Sequence, residues 1–549
     1  MQSNPDVVKF AGIASAGGWR IEMKRLLKTF WHYIDGINGL VFILYTIFIL
    51  SSQAILDEPY AISGVTVKVL LYAVMAVIIC PVLLKWLSRF CITCCEERKG
   101  SPLLVKLGLF LLTLGALLLH FWAYYPGGFS VDSIAQFEQA VTNRYNDWHP
   151  VVHTLLAFKL PLLLTNGSAA GTTLFQIFCF SLVIAYSLYV IWEYTNLKYV
   201  ILSVCFVFLN PQTFHVAMYV WKDVALAIGV LLLLTYALRI YATKGEWLKK
   251  PLHLVLFVLA TVLTTLVRHN AVLFTAPLVF AVLFYSTPKR SIILCLSIAV
   301  LLAVVKYPLY TVLEVEKPGA RQVETLGLPV NIIGAAVTFS PEQVDGRTLQ
   351  FAYEIAPEQV WAEKYNYGSY NQVKFDPATD NNVIEEYGAA KVLYMMAKCF
   401  KTATLTSMKS LIKLTDSIYG ILHPTMTIFV PEIAENELGI ALSGSSAIRQ
   451  VLQSYGDFVA KNLPFLFDLG VLHLILIAAI LSKLRLEKLS DWKMLLFLLP
   501  VFTYNYGTSI LLTEHWDALR FFYYVGVSLP TMLVFVYGKG LERKVEESV

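Results

Sequence analysis

The residues able to do chemistry are few and far apart: Asp132, His149, His153, Lys222, Asp223, Arg268, His269, Asn270, Glu514, His515, Asp517 and Arg520. Asp132 lies in Pro126-Gly-Gly-Phe-Ser-Val-Asp132-Ser-Ile-Ala-Gln136-Phe-Glu-Gln139. Helical spacing aligns Asp132, Gln136 and Gln139 on one polar stripe with a carboxylate at its start. That carboxylate could serve as a general base; equally, an acid in a first turn complements the helix dipole. Trp221-Lys222-Asp223 opens a long apolar run, so an ammonium stands at a helix N-terminus whose free N–H groups already favour anions. Arg268-His269-Asn270 occupies a tight turn in which Asn270 is expected to cap the next helix. Arg268 there either offers a two-pronged fork to phosphate oxygens or complements the preceding helix dipole. Glu514-His515-Trp-Asp517-Ala-Leu-Arg520 precedes the last apolar run, and Asp517 with Arg520 has the spacing of an ion pair.

Two patterns invite a metal reading. His149-Pro-Val-Val-His153 puts two imidazoles four residues apart but lacks the glutamate of a zinc-protease helix, and hydrogen bonding by His149 is the favoured role. Cys91-x-x-Cys94-Cys95 has no further Cys or His nearby to complete a zinc set, so reduced thiols are expected. Of the eight cysteines only Cys399 lies in a large outer segment, which leaves no outer disulfide framework.

The elements that must position these residues are membrane helices. The chain has 549 residues, 57% of them hydrophobic and 15% charged, with a mean hydropathy of +0.63, far from the balance of a soluble protein. A net charge of +5 reflects loop Lys and Arg and gives no footprint for nucleic acid. Runs of about 18 to 23 apolar residues are long enough to cross the hydrocarbon core. They fall near 37–55, 66–88, 103–125, 170–192, 197–213, 222–242, 252–268, 271–286, 291–312, 462–482, 493–513 and 520–538, predicting about twelve transmembrane helices. The basic N-terminal stretch has no short apolar core with a cleavage site, so the first span is expected to act as its own anchor.

Loop charge orients these spans. With the N-terminus inside, the inner loops collect Lys85, Arg89, Arg98, Lys99, Lys249, Lys250, Lys289, Arg290, Arg485 and Lys488, while the short outer loops are nearly bare. Both termini are therefore expected in the cytoplasm, and every chemically equipped residue above falls on the outer face. The predicted organisation is a cytoplasmic segment 1–36, a transmembrane module 37–311 with an outer loop 125–168, an extracytoplasmic domain 312–461, and a C-terminal module 462–549. In the outer loop, Ser130 and Pro150 suit the starts of two surface helices. The Pro-punctuated outer domain is expected to be of mixed structure, with Tyr365-Asn-Tyr-Gly-Ser-Tyr-Asn371 as a sugar-facing surface or a structured turn.

In order and spacing, PGGFSVDSIAQFEQA, NDWHPVVHTLL, WKDVALA, LVRHNAVLF and ETLGLPVNIIGAAV resemble the GT-C superfamily of polytopic membrane glycosyltransferases, and more closely a branch of it from Gram-positive bacteria. The likeness runs from about residue 103 to the end. It implies an all-α polytopic fold in a bacterial plasma membrane, with an extracytoplasmic active site. It also implies sugar transfer, of the inverting kind, from a polyprenyl-phosphate-linked donor to a cell-envelope glycan, polymer or glycolipid. Asp132 would be the catalytic base. Lys222, Arg268 and Arg520 would bind the donor phosphate, with Gln136, His149, Asp223, Asn270 and His515 as further substrate contacts. The chain lacks a paired acid beside Asp132, so no cofactor is required; a divalent cation is left open but not favoured. The large domain between spans nine and ten departs from better-known members, whose soluble domains are C-terminal. Two other classes stay open. A transporter or flippase of lipid-linked glycans would carry charged or broken helices at mid-membrane, and a non-catalytic assembly protein would have no reason to gather a carboxylate and cations.

Overall fold

A computed structural model describes residues 102–317, 322–418, 428–486, 492–514 and 517–537. The expected spans at 37–55 and 66–88 and residue His515 lie outside the described residues, and so does the Cys91 cluster. Among the described residues the protein is helical, with isolated bridges but no β-strand. Phe90–Leu476 and Ser490–Val549 belong to one compact unit, which holds every residue discussed below. Residues 477–486, the described part of a second unit, form the end of the helix Leu469–Leu486.

Each of the ten remaining apolar runs is found as helix. Five helices are long and apolar enough to cross a membrane: Pro102–Ala123, Ala169–Tyr194, Lys222–Ala242, Pro288–Val312 and Leu519–Val536. A sixth is reached if Leu197–Leu209 and Pro211–Ala217, bent by 55° at Asn210 and Pro211, form one span. Pro251–Leu266 and Val272–Leu283 are shorter than the runs 252–268 and 271–286 suggested, because the chain tightens into a 3-10 turn at His269–Ala271. Pro102–Ala123 and Pro288–Val312 keep much of their aliphatic side-chain surface exposed, Leu103, Leu111, Ile292 and Val304 among it. Apolar surface on that scale is costly in water and natural in a bilayer, consistent with a membrane protein.

Lys222–Ala242 is the central helix. It packs against Ala169–Tyr194, Pro251–Leu266 and Tyr523–Tyr537. Small polar groups tie this bundle where apolar packing alone gives little specificity. Ser187 and Thr531 share a hydrogen bond of 2.7 Å, and the Tyr199 and Tyr523 hydroxyls donate to the carbonyls of Pro530 and Thr213, each at 2.5 Å.

The segment expected to be of mixed structure is helical instead. Its prolines open or break short helices rather than strands: Pro341 starts a 3-10 turn and Pro357 precedes Glu358–Lys364. The core is built around the helix Gly327–Phe339, on which Ala389–Thr402 and Thr404–Thr415 pack, with Phe351, Trp361 and Tyr370 buried. Tyr365 and Tyr370 are thus core residues and not a sugar-facing surface. The Tyr365 hydroxyl donates to the Asn331 carbonyl at 2.5 Å, and that of Tyr370 to Asn381 at 3.0 Å.

Candidate functional site

The helix Val131–Thr142 carries Asp132 in its first turn. As expected, Ser130 is its N-cap, accepting from the Ser133 amide at 3.4 Å, and it also accepts from the Trp221 indole at 2.7 Å. The approach to this helix runs beside the approach to Lys222. The Gly128 amide donates to the Met218 carbonyl at 2.9 Å, and the Ser133 hydroxyl donates to the Val220 carbonyl at 3.1 Å. A Cβ on Gly128 would stand 2.7 Å from the Tyr219 ring, so close an approach of the two segments needs glycine there. Two helix starts distant in sequence are in this way held side by side, and both present their first charged residue to the same space.

That space holds one carboxylate and three nitrogen bases. Arg520 Nη1 donates to Asp132 Oδ2 at 3.1 Å, Lys222 Nζ stands 3.8 Å from the same oxygen, and His149 Nε2 is 3.9 Å from Oδ1. Lys222 Nζ also donates to His149 Nδ1 at 3.0 Å. An ammonium has no acceptor, so Nδ1 carries the lone pair and His149 is a neutral imidazole with its proton on Nε2, aimed at Asp132. Burial works against charge on Asp132, yet the Lys222 ammonium and the Arg520 guanidinium overcome it and hold the carboxyl well below the usual range. Burial, and then the Lys222 charge, push His149 down to about 3. The Asp132 side chain remains 29% exposed, open to an incoming molecule.

A second ion pair lies behind the first and is sealed. Arg268 pairs with Asp223, and both residues are almost fully buried. The Arg268 guanidinium lies 3.9 Å from the centre of the Phe521 ring and the Arg520 guanidinium 5.2 Å from it, so one ring contacts both arginines. Arg268 Nε donates to Asn270 Oδ1 at 2.7 Å and Asn270 Nδ2 donates to Thr508 at 2.9 Å. Asn270 therefore does not cap the following helix, whose N-cap is Ala271. Both ends of its amide serve the arginine turn instead.

The other sequence candidates take distinct places. Gln136 is buried and accepts from His153 Nδ1 at 2.7 Å and from the Thr154 hydroxyl at 3.2 Å, which fastens the Asp132 helix to the segment after Pro150. His149 and His153 do not face a common point: Pro150 ends the extended approach, and the helix begins only at Val151. That helix passes into a π-helical stretch, Thr154–Lys159. Arg520 turns to Asp132; the side chain of Asp517, its expected partner, lies outside the described residues. His269 stands 3.8 Å from Asp147, and Glu514 accepts from Ser369 at 2.6 Å. Among the described residues no group of three or more His, Cys, Asp or Glu side chains could hold a metal ion.

Two residues near this space were not singled out in the sequence. Glu324, in the inserted domain, pairs with Lys374, whose Nζ lies 5.4 Å from the centre of the Trp148 ring, and Trp148 adjoins His149. Both lie inside quoted motifs, and that was the available signal. No protein-family model, curated protein or solved structure matches the chain, so no neighbour places it in the GT-C superfamily.

Proposed function

We propose that the protein is a glycosyltransferase of the GT-C type that moves a sugar from a polyprenyl-phosphate-linked donor to a cell-envelope glycan, polymer or glycolipid, at the extracytoplasmic face of a bacterial plasma membrane. The observation that carries the reading is the meeting of Asp132 with Arg520, Lys222 and a neutral His149, within 3.1 to 3.9 Å, at the ends of two apolar helices. A partly open carboxylate flanked by two cations suits a reaction in which a hydroxyl loses a proton while a phosphate gains charge.

In the proposed step the acceptor oxygen forms a bond to the anomeric carbon as the bond from that carbon to the phosphate oxygen breaks. The electron pair leaves with the lipid phosphate, and the proton passes to Asp132. Lys222 and Arg520 neutralise the departing phosphate. In the resting arrangement those cations also suppress the basicity of Asp132. An arriving phosphate draws them away, so the base strengthens when the donor is in place. Arg268, committed to Asp223, supports Arg520 from behind through Phe521. No cofactor enters the step.

The test is a panel of polyprenyl-phosphate sugars given to purified protein with acceptor-rich membranes, scored for released lipid phosphate and incorporated sugar. Matched release and incorporation support the reading; absence of both across the panel overturns it. A second reading, a transporter or flippase of lipid-linked glycans, is favoured by the 55° break at Asn210 and by a buried network in apolar helices. There His473 bonds Asn505, which accepts from Tyr524 at 2.7 Å. It predicts movement of lipid-linked sugar across vesicles without release of lipid phosphate.

A further inference from the structure

ETLGLPVNIIGAAV begins at Glu324, and the step above leaves this motif without work. Most of it anchors the inserted domain. Asn331 Nδ2 donates to the Thr513 carbonyl at 3.2 Å, the Tyr370 amide donates to the same carbonyl at 2.9 Å, and the Leu328 amide reaches the Ile510 carbonyl at 3.4 Å. Ile510 and Thr513, upstream of Arg520 in the chain, are thus gripped by the domain, and the motif's first residue pairs with Lys374.

Glu324 lies at the surface of the domain. Its side chain is 41% exposed, while its partner Lys374 is 95% buried and paired to it from the domain side. Lys374 Nζ in turn lies 5.4 Å from the centre of the Trp148 ring. Trp148 is half-buried, and its position is set from both sides. Before it, the Asp147 amide donates to the Glu316 carbonyl at 3.0 Å, and Asp147 accepts from the Tyr310 hydroxyl at 2.8 Å. After it, His149 meets Lys222 and Asp132. A half-exposed carboxylate, a buried ammonium that anchors it and a half-buried indole on the residue before His149 are the groups a protein uses to hold a sugar. The acid accepts from hydroxyls, and the ring covers the apolar C–H face of the pyranose.

We infer that Glu324 and Trp148, braced by Lys374, form the acceptor-binding side of the site and recognise a hydroxyl-rich sugar. The inference rests on the glycosyltransferase reading for the word acceptor, and on the geometry alone for the sugar. Glu324 and Trp148 are specificity-determining contacts in it, and Lys374 is a positioning residue.

The full-length purified protein is titrated with a panel of soluble di- to tetrasaccharides built from hexose, N-acetylhexosamine, deoxyhexose and pentose units. Thermophoresis reads binding, and unfolding temperature reads integrity. At least one oligosaccharide is expected to bind the wild type, and Glu324→Gln and Trp148→Ala each weaken it about tenfold or more, the scale of a lost charge-assisted hydrogen bond or stacking face. Trp148→Phe and Glu324→Asp, which keep the ring and the Lys374 pairing, retain most of the affinity and the unfolding temperature. No binding across the panel, or binding that Glu324→Gln and Trp148→Ala leave unchanged, overturns the inference. Sugar binding that depends on both residues, without any release of lipid phosphate, keeps the inference and overturns the glycosyltransferase reading instead.

Discussion

Asp132–Arg520 and Asp223–Arg268 are the same chemical pair, and both arginines contact Phe521, yet their settings differ. The Asp132 carboxylate is 29% exposed and shared among Arg520, Lys222 and His149; the Asp223 carboxylate has no exposed surface. A sealed pair cannot exchange partners without leaving a bare charge in an apolar surrounding, so it serves as a fixed brace. An open pair can trade one anion for another at little cost, as a site for an anionic substrate requires. Burial, not residue type, separates the carboxylate open to a ligand from the one sealed in the core.

Substitution breaks this comparison most sharply at Asp132 and Arg268. Asp132→Asn is expected to lower turnover with lipid-linked sugar by about 10²- to 10⁴-fold, the range of a lost general base, with an unfolding temperature close to wild type. Arg268→Ala strands the buried Asp223 charge and is expected to cost about 3 to 5 kcal/mol of stability, read as a large fall in unfolding temperature and yield. If Arg268→Ala instead folds normally and only weakens donor binding, the brace assignment fails. On the proposed reading Arg520→Ala takes a cation from the leaving phosphate, so about 10²- to 10³-fold in turnover is expected to go while the fold survives.

The smallest effect is in pH. His149 and His153 are each held down to about 3 in the fold, His153 by burial and then by the Lys222 charge, against an ordinary value of 6.5. Between about 3 and 6.5 the unfolded chain binds more protons than the native one. Stability therefore rises with pH across that window and is complete above it, with a slope of at most about 1.4 kcal/mol per pH unit for each histidine. Asp132 has the opposite charge type but the same sign of effect: its contribution is intact above its ordinary value of 3.8 and is lost only in stronger acid. Thermal unfolding in detergent between pH 4 and 7 is expected to show the histidine slope, and His149→Gln to reduce it by about half, leaving the share of His153. A flat wild-type profile would contradict the neutral assignment of His149.

Much of this architecture was legible because lipid imposes a simple rule on sequence. The apolar runs located ten helices, and Ser130 before Asp132 marked a cap that the structure contains. The meeting of Asp132, Lys222, His149 and Arg520 followed from placing their helix ends at one level. Arg268 was harder to read, since a guanidinium in a turn can face a ligand or a neighbouring acid, and only packing decides; here Asp223 lies beside it. Asn270 looked like a cap for the same reason. The inserted domain misled because prolines and aromatic residues suggest irregular surface, whereas Trp361, Tyr365 and Tyr370 fill a helical core. Glu324 and Trp148 carry no periodic signal, and their link through Lys374 depends on how the inserted domain packs on the loop that carries Trp148.

The central claim is that a phosphate competes with Asp132 for Lys222 and Arg520. It is tested most directly by titrating polyprenyl phosphate, without sugar, into wild type, Asp132→Asn and Arg520→Ala. Removing the competing carboxylate should tighten binding in Asp132→Asn by about tenfold, on the scale of one charge-assisted contact released, and Arg520→Ala should weaken it by a similar factor. Weaker binding in Asp132→Asn than in wild type, or indifference to both substitutions, would contradict the account.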